Sequence, residues 1–173
     1  LELVGVGNDV EVAIEAARRL DGGCYLADPN DERDLPFRTM VRCVTDSPQD
    51  LESAAQEGMY VVFGRVIRER DVETETGVAS PGVTAIFPLL HHADLTHEQS
   101  DAHWRDVHAS LALRHHPGMW DYTQLSVVRT VSGPEIDGFA LVSFDSLDSM
   151  KERFFGDETD RDVIYRDVAS FAN

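Results

Sequence analysis

The same local pattern is written twice in this chain, and it limits the fold more than any other feature. A run of strand character at residues 38–43 leads through Asp46-Ser47 into a helical stretch at about 48–57. A second run at 138–144 leads through Asp145-Ser146 into a helical stretch at 147–154. Asp and Ser are favoured just before a helix because their side-chain oxygens accept from first-turn N–H groups. Upstream, the halves also begin alike. Residues 1–6 read as a strand leading to a helix at 10–20, with Val10, Ile14, Ala17 and Leu20 at helical spacing. Residues 83–90 read as a strand leading to a helix at 97–113. A strand at 59–67 closes the first half. The order β-α-β-β-α-β is that of a ferredoxin-like unit, so two such repeats are expected. The second half reaches Asn173 with no closing strand in view; that strand is either borrowed or absent. The polar run RDVETETGVASPG reads as a connection. The expected division is a degenerate repeat at 1–69, a linker at 70–82 and a second ferredoxin-like domain at 83–173.

The surface chemistry narrows the partners. The chain has 173 residues, 32 carboxylates against 15 basic side chains, and a net charge of −17. Such a surface repels phosphate, so neither nucleic acid nor an anionic membrane is an expected partner. The hydrophobic fraction of 42% is enough for a core. No apolar run approaches the roughly 18 residues of a membrane span. The two cysteines, Cys24 and Cys43, have neither metal-ligand spacing nor a disulfide framework. No secretory leader is read, and the expected compartment is reducing and cytoplasmic. Lys151 is the only lysine, which leaves almost no candidate for Schiff-base chemistry.

All seven histidines lie between His91 and His116. Imidazole exchanges a proton near neutrality and is a common metal ligand, so chemistry is expected in this window. Thr96 and Gln99 form a capping-box pattern that opens the histidine helix. Ser100, Trp104, Val107, His108 and Leu111 fall on one face, which is expected to be buried. His97, Asp101 and Arg105 form a charged stripe expected to face solvent. His103 lies about 140° around a regular helix from His108, so the two are not expected to share a face. His108 is then either a general base or acid at an apolar cleft, or a core histidine satisfied by a backbone carbonyl. His91 and His92 end a strand, so only one of them can face a given cavity. His115 and His116 precede Pro117-Gly118 in a loop and can be surface residues. His103 and His108 are five apart rather than four, so no metal site is expected. There is no Gly-x-Ser-x-Gly elbow and no Gly-Lys-Ser/Thr loop. Val4-Gly5-Val6-Gly7 lacks the third glycine of a dinucleotide site, so no cofactor is expected.

From Ala102 onward these residues resemble a known family. The run HWRDVHASLAL, Pro117-Gly118 before a strand at Tyr122, Ile136-Asp137-Gly138, Phe144-Asp145-Ser146 and the tail from Tyr165 to Phe171 are similar to the EthD family. The resemblance covers about residues 83–173. It implies an α+β barrel built from paired ferredoxin-like units, within one chain or through a dimer. That superfamily includes cofactor-free lactone isomerases, polyketide cyclases and dehydratases, small monooxygenases and haem-binding proteins. EthD itself has an accessory role in ether degradation. The resemblance carries over His108 as a site residue with Trp104 lining its cleft, and gives Asp137 a structural role. The first half has no Trp-Arg-x-x-His and is expected to keep the fold without the site.

The resulting expectation is a cofactor-independent lyase, isomerase or cyclase acting on a small hydrophobic carbonyl or lactone substrate. His108 would move the proton, with His91, His92 or Tyr122 as a second donor. Trp104, Phe87, Trp120 and Leu111 would form the apolar walls. Positioned acid–base catalysis supplies roughly 10² to 10⁴-fold, so orientation must supply the rest. The alternatives are a non-catalytic small-molecule-binding or accessory protein of a degradation or oxygenase pathway, and a haem-binding protein. A homodimer or an intrachain pseudo-dimer is expected.

Overall fold

The computed structural model describes residues 1–70 and 77–173. Residues 71–76 of the expected 70–82 linker lie outside them. The chain forms two compact units, Leu1–Phe63 with Val127–Glu135, and Gly64–Ser126 with Ile136–Asn173.

In the first unit, β1 (Glu2–Gly7), β2 (Gly23–Leu26), β3 (Thr39–Val44) and the first part, to Phe63, of β4 (Gly58–Arg68) run in the order β2-β3-β1-β4, with antiparallel neighbours. This is the ferredoxin-like order. Helix α1 (Val10–Arg19) starts where Asp9 accepts from the Val12 amide at 3.1 Å. Its small buried residues Ala13, Ala16 and Ala17 let it lie close against Val41 and Cys43 of β3. The expected helix at 48–57 is a 3₁₀ helix, Pro48–Ala54. It cannot reach residue 57, because the Glu57 amide already donates to the Val6 carbonyl at 3.0 Å. Ser47 makes no side-chain cap to it; in this copy of the Asp-Ser motif the capping expectation fails. Leu51 packs on β1 at Gly5, where a Cβ would sit 2.9 Å from Leu51 Cγ. The Val4-Gly5-Val6-Gly7 run thus serves helix–sheet packing.

In the second unit, β5 (Val83–Leu89), the first part, to Ser126, of β6 (Asp121–Ser132) and β7 (Gly138–Phe144) follow the order β6-β7-β5, again antiparallel. This is the first unit's order without its last strand. Among the described residues no fourth strand pairs with β5, which lies at the edge of the sheet. The tail forms a helix, α5 (Glu158–Phe171), and only Ala172 makes a single bridge to His91.

Helices α2 (His97–His103), α3 (Ala109–His115) and α4 (Leu147–Arg153) complete the layer with α5. Ser146 caps α4 by accepting from the Ser149 amide at 3.1 Å, as its motif suggested. Every residue of β7 is buried. Ala140, Val142 and Phe144 join Trp104, Met119, Tyr122 and Phe171 in the unit's core. Burying each such large side chain stabilises by about 1.5–3 kcal/mol relative to exposure. No helix of the described residues is long and apolar enough to cross a membrane.

Candidate functional site

The histidine helix opens as expected. Thr96 accepts from the Gln99 amide at 3.3 Å while Gln99 Oε1 accepts from the Thr96 amide at 2.9 Å. It then departs from regular α geometry. Between α2 and α3 lies one π turn, Trp104–His108, closed by the Ala109 amide donating to the Trp104 carbonyl. The same carbonyl accepts from Gln124 Nε2 at 3.0 Å. A π turn brings residues five apart onto one side, and such insertions are frequent at functional sites. This overturns the expectation that His103 and His108 diverge.

Both imidazoles meet Asp167 of α5. His103 Nε2–H donates to Oδ1 at 2.8 Å and His108 Nδ1–H to Oδ2 at 2.7 Å. The His108 and Asp167 side chains are only 9% and 10% exposed. Burial pushes the His108 pKa below the ordinary imidazole value, although Asp167 opposes it. The Phe171 ring lies 5.1 Å from the His103 ring and 5.2 Å from that of His108.

A second carboxylate repeats the arrangement in the open. Asp137 accepts from the His91 amide at 2.6 Å, from His91 Nδ1–H at 2.7 Å and from His97 Nδ1–H at 2.9 Å. His91 and His97 side chains are 39% and 34% exposed. Burial alone would raise the Asp137 carboxyl, but these bonds outweigh it and hold it below the ordinary carboxylate range. A carboxylate accepting Nδ1–H fixes the tautomer of a neutral imidazole and leaves Nε2 to act as a base.

Beside Asp137 lies a pocket of about 10 Å³, room for about one water, with His97, Asp101, Asp137, Leu89, Trp104 and Phe171 in its wall. Trp104 reaches it by crossing Gly138, where a Cβ would come within 2.5 Å of Trp104 Cζ3. The Asp137-Gly138 motif therefore serves the site twice, through its carboxylate and through its missing side chain. Asp101 is not in solvent. Arg65 grips it with both terminal nitrogens, one at 2.9 Å, and lies 5.7 Å from the centre of the Trp104 ring. Burial raises the Asp101 carboxyl, and bonds from Arg65 and Ser126 more than reverse that. Of the stripe expected in solvent, only Arg105 is exposed.

The remaining candidates are distributed around this centre. His92 accepts from the Asp94 amide at 3.2 Å. Tyr122 is buried under Trp104, its hydroxyl accepting from Trp104 Nε1 at 3.0 Å and Gln124 Nε2 at 3.1 Å. Burial pushes its pKa up to about 12, with the Gln124 and Trp104 bonds opposing. Phe87 packs edge-on against Phe154, Trp120 lies under the Arg70 guanidinium, and Leu111 is half-buried on α3. Of the four expected wall residues, Trp104 lines the pocket. His115 donates to Asp160 at 2.5 Å, and buried His116 donates to the Phe154 carbonyl at 2.5 Å, so His116 is no surface residue.

Sequence reasoning passed over His97 and Asp167. Residues 97, 101, 104 and 108 follow the i, i+4, i+7, i+11 spacing of one helix face, which placed His97 and Asp101 with Trp104. Among the described residues no three His, Cys, Asp or Glu side chains converge as a metal-ligand set. A larger hollow of about 490 Å³ lies in the first unit over Tyr25, Arg42 and Val44, on a half of the chain without histidine.

No family model and no curated protein matches this chain. Among solved structures, the chain is similar to an anthrone oxidase-like protein, with a TM-score of 0.57 and 13% identity. The match covers 99% of this chain and 85% of the other. A likeness at that identity speaks to fold. The chain has a mixed α+β fold of the α+β barrel class.

Proposed function

We propose that the chain is a small-molecule protein that moves a proton with histidine, a cofactor-independent lyase, isomerase or cyclase for a hydrophobic carbonyl substrate. One observation carries this reading: Asp137 holds His91 and His97, both solvent-reachable, by their Nδ1 atoms beside an apolar wall. In the proposed step, a C–H bond next to the substrate carbonyl breaks. The proton moves to His97 Nε2 and the electron pair to the carbonyl oxygen as an enolate, and reprotonation at another carbon completes an isomerisation. His91 or His92 would return the proton. The anthrone named in the structural neighbour's description is an aromatic ketone, the substrate class such a base suits. Convergence of Trp104, His108, Asp137, Asp167 and Phe171 supports kinship with the EthD family, whose motifs they resemble. We further propose the repeat division at 69 and 83 and a homodimeric or intrachain pairing.

Deuterium exchange of anthrone methylene protons, followed by NMR, tests the chemistry. We expect His97→Ala to slow exchange by about 10²-fold, the lower end of positioned acid–base catalysis. A His91→Ala/His97→Ala double variant with the full rate would overturn it. A second reading is a binding or accessory protein without turnover. In that case ligand binds and no proton exchanges.

A further inference from the structure

We propose that Asp167–Phe171 is a proton-released strap over the pocket, held shut by His103 and His108. The strap itself stands on geometry; its importance for access rests on the reading of the pocket as the site. Phe171 supplies part of the pocket wall, and its carbonyl accepts from the His92 amide at 2.8 Å and from Ser100 Oγ at 2.7 Å. Its ring lies on both imidazoles. One α-helical turn earlier, Asp167 offers one oxygen to each of them. Whatever loosens Asp167 therefore loosens the wall.

The count of charges decides when that happens. With both imidazoles neutral, or with the half-exposed His103 charged, the seam holds at most one positive charge against the Asp167 carboxylate. A second positive charge on buried His108 leaves an excess charge where water cannot reach it, which is costly. The other groups facing the seam do not relieve it. Asp160 of α5 is engaged by His115, His116 donates to the Phe154 carbonyl, and Arg65 is engaged by Asp101. Tyr122 stays neutral throughout the range. Burial depresses the His108 pKa in the folded protein. The hold is therefore complete above the ordinary imidazole value of about 6.5 and is lost as pH falls below it.

Hydrogen exchange of the intact chain, read by mass spectrometry and corrected to protection factors, tests the strap. Between about pH 7.5 and 5.5 we expect protection of residues 167–173 to fall about tenfold or more, while β1 and β3 keep theirs. His108→Asn keeps a donor at the Nδ1 position and cannot titrate, so the pH dependence should vanish. His103→Gln cannot add a second positive charge beside His108, so Asp167 balances a protonated His108 and the loss of protection on acidification should shrink; it also serves if the His108 variant does not fold. Unchanged protection of 167–173, an equal loss in β1 and β3, or undiminished pH dependence in His108→Asn would overturn the proposal. None of these readouts is activity, so they fail or succeed independently of the proposed proton chemistry.

Discussion

The two compact units share a strand order but hold their helix layers by different means. The first packs α1 and a 3₁₀ helix through small apolar contacts, with Ala13, Ala16, Ala17, Leu51 and Ala54 all but free of solvent. It contains no histidine. The second packs a larger aromatic core and adds imidazole–carboxylate pairs, Asp137 with His91 and His97, Asp167 with His103 and His108, and Asp160 with His115. The difference teaches that this fold does not need histidine to close. Where imidazoles are present, they give one unit side chains that titrate near neutrality, which the other lacks.

The harshest way to break the comparison is to remove one core anchor from each unit. Trp104→Ala should cost about 3–5 kcal/mol and abolish the pocket wall, because a buried indole and its bond to Tyr122 are lost together. Leu51→Ala should cost about 2–5 kcal/mol in denaturant unfolding yet leave histidine proton exchange untouched. If Leu51→Ala alters the exchange as Trp104→Ala does, the units are not chemically separate. Gly138→Ala sharpens the contrast, since its Cβ must displace Trp104; overpacking of about 1–3 kcal/mol is expected, read as a lower melting temperature.

A gentler probe uses pH. Burial depresses the pKa of His116, and the bond to the Phe154 carbonyl only partly offsets it. Its contribution is present above the ordinary imidazole value of about 6.5 and is lost on acidification. Thermal scans should therefore show α4 and α5 signals weakening in acid, and His116→Asn should flatten that limb. Unit 1 signals should not move with them. Asp137→Asn is expected to have the smallest effect on stability, within about 1 kcal/mol for so open a pair, while slowing proton exchange. An Asn at 137 that leaves exchange at its full rate would detach the carboxylate from the chemistry.

Much of this architecture is legible along the chain. Short apolar runs of strand length mark β1, β3 and β7, helical spacing marks α1, and the Thr96–Gln99 box marks the start of α2 because capping is a local interaction. Ser100, Trp104 and His108 turn inward as their spacing requires, whereas Val107, expected on the same face, is exposed. The shared face of His103 and His108 is not legible, since no periodicity announces a π turn whose carbonyl is met from β6 by Gln124. Asp167 and Asp137 are far in sequence from the histidines they orient, and pairs of that kind are set by tertiary packing. The Asp-Ser motif misleads once, because the Ser47 amide donates to Thr45 Oγ1 and its hydroxyl to Gln49 Oε1 rather than capping a helix.

The most direct test of the account is the tautomer of each imidazole, read from long-range nitrogen–proton correlations at about pH 8, where histidine is neutral. The structure predicts Nδ1–H for His91, His97, His108, His115 and His116, and Nε2–H for His103. That pattern would place free Nε2 atoms on His91 and His97 beside the pocket. Nε2–H on His97 and His91 would contradict the account, because Asp137 would then not be aiming a base.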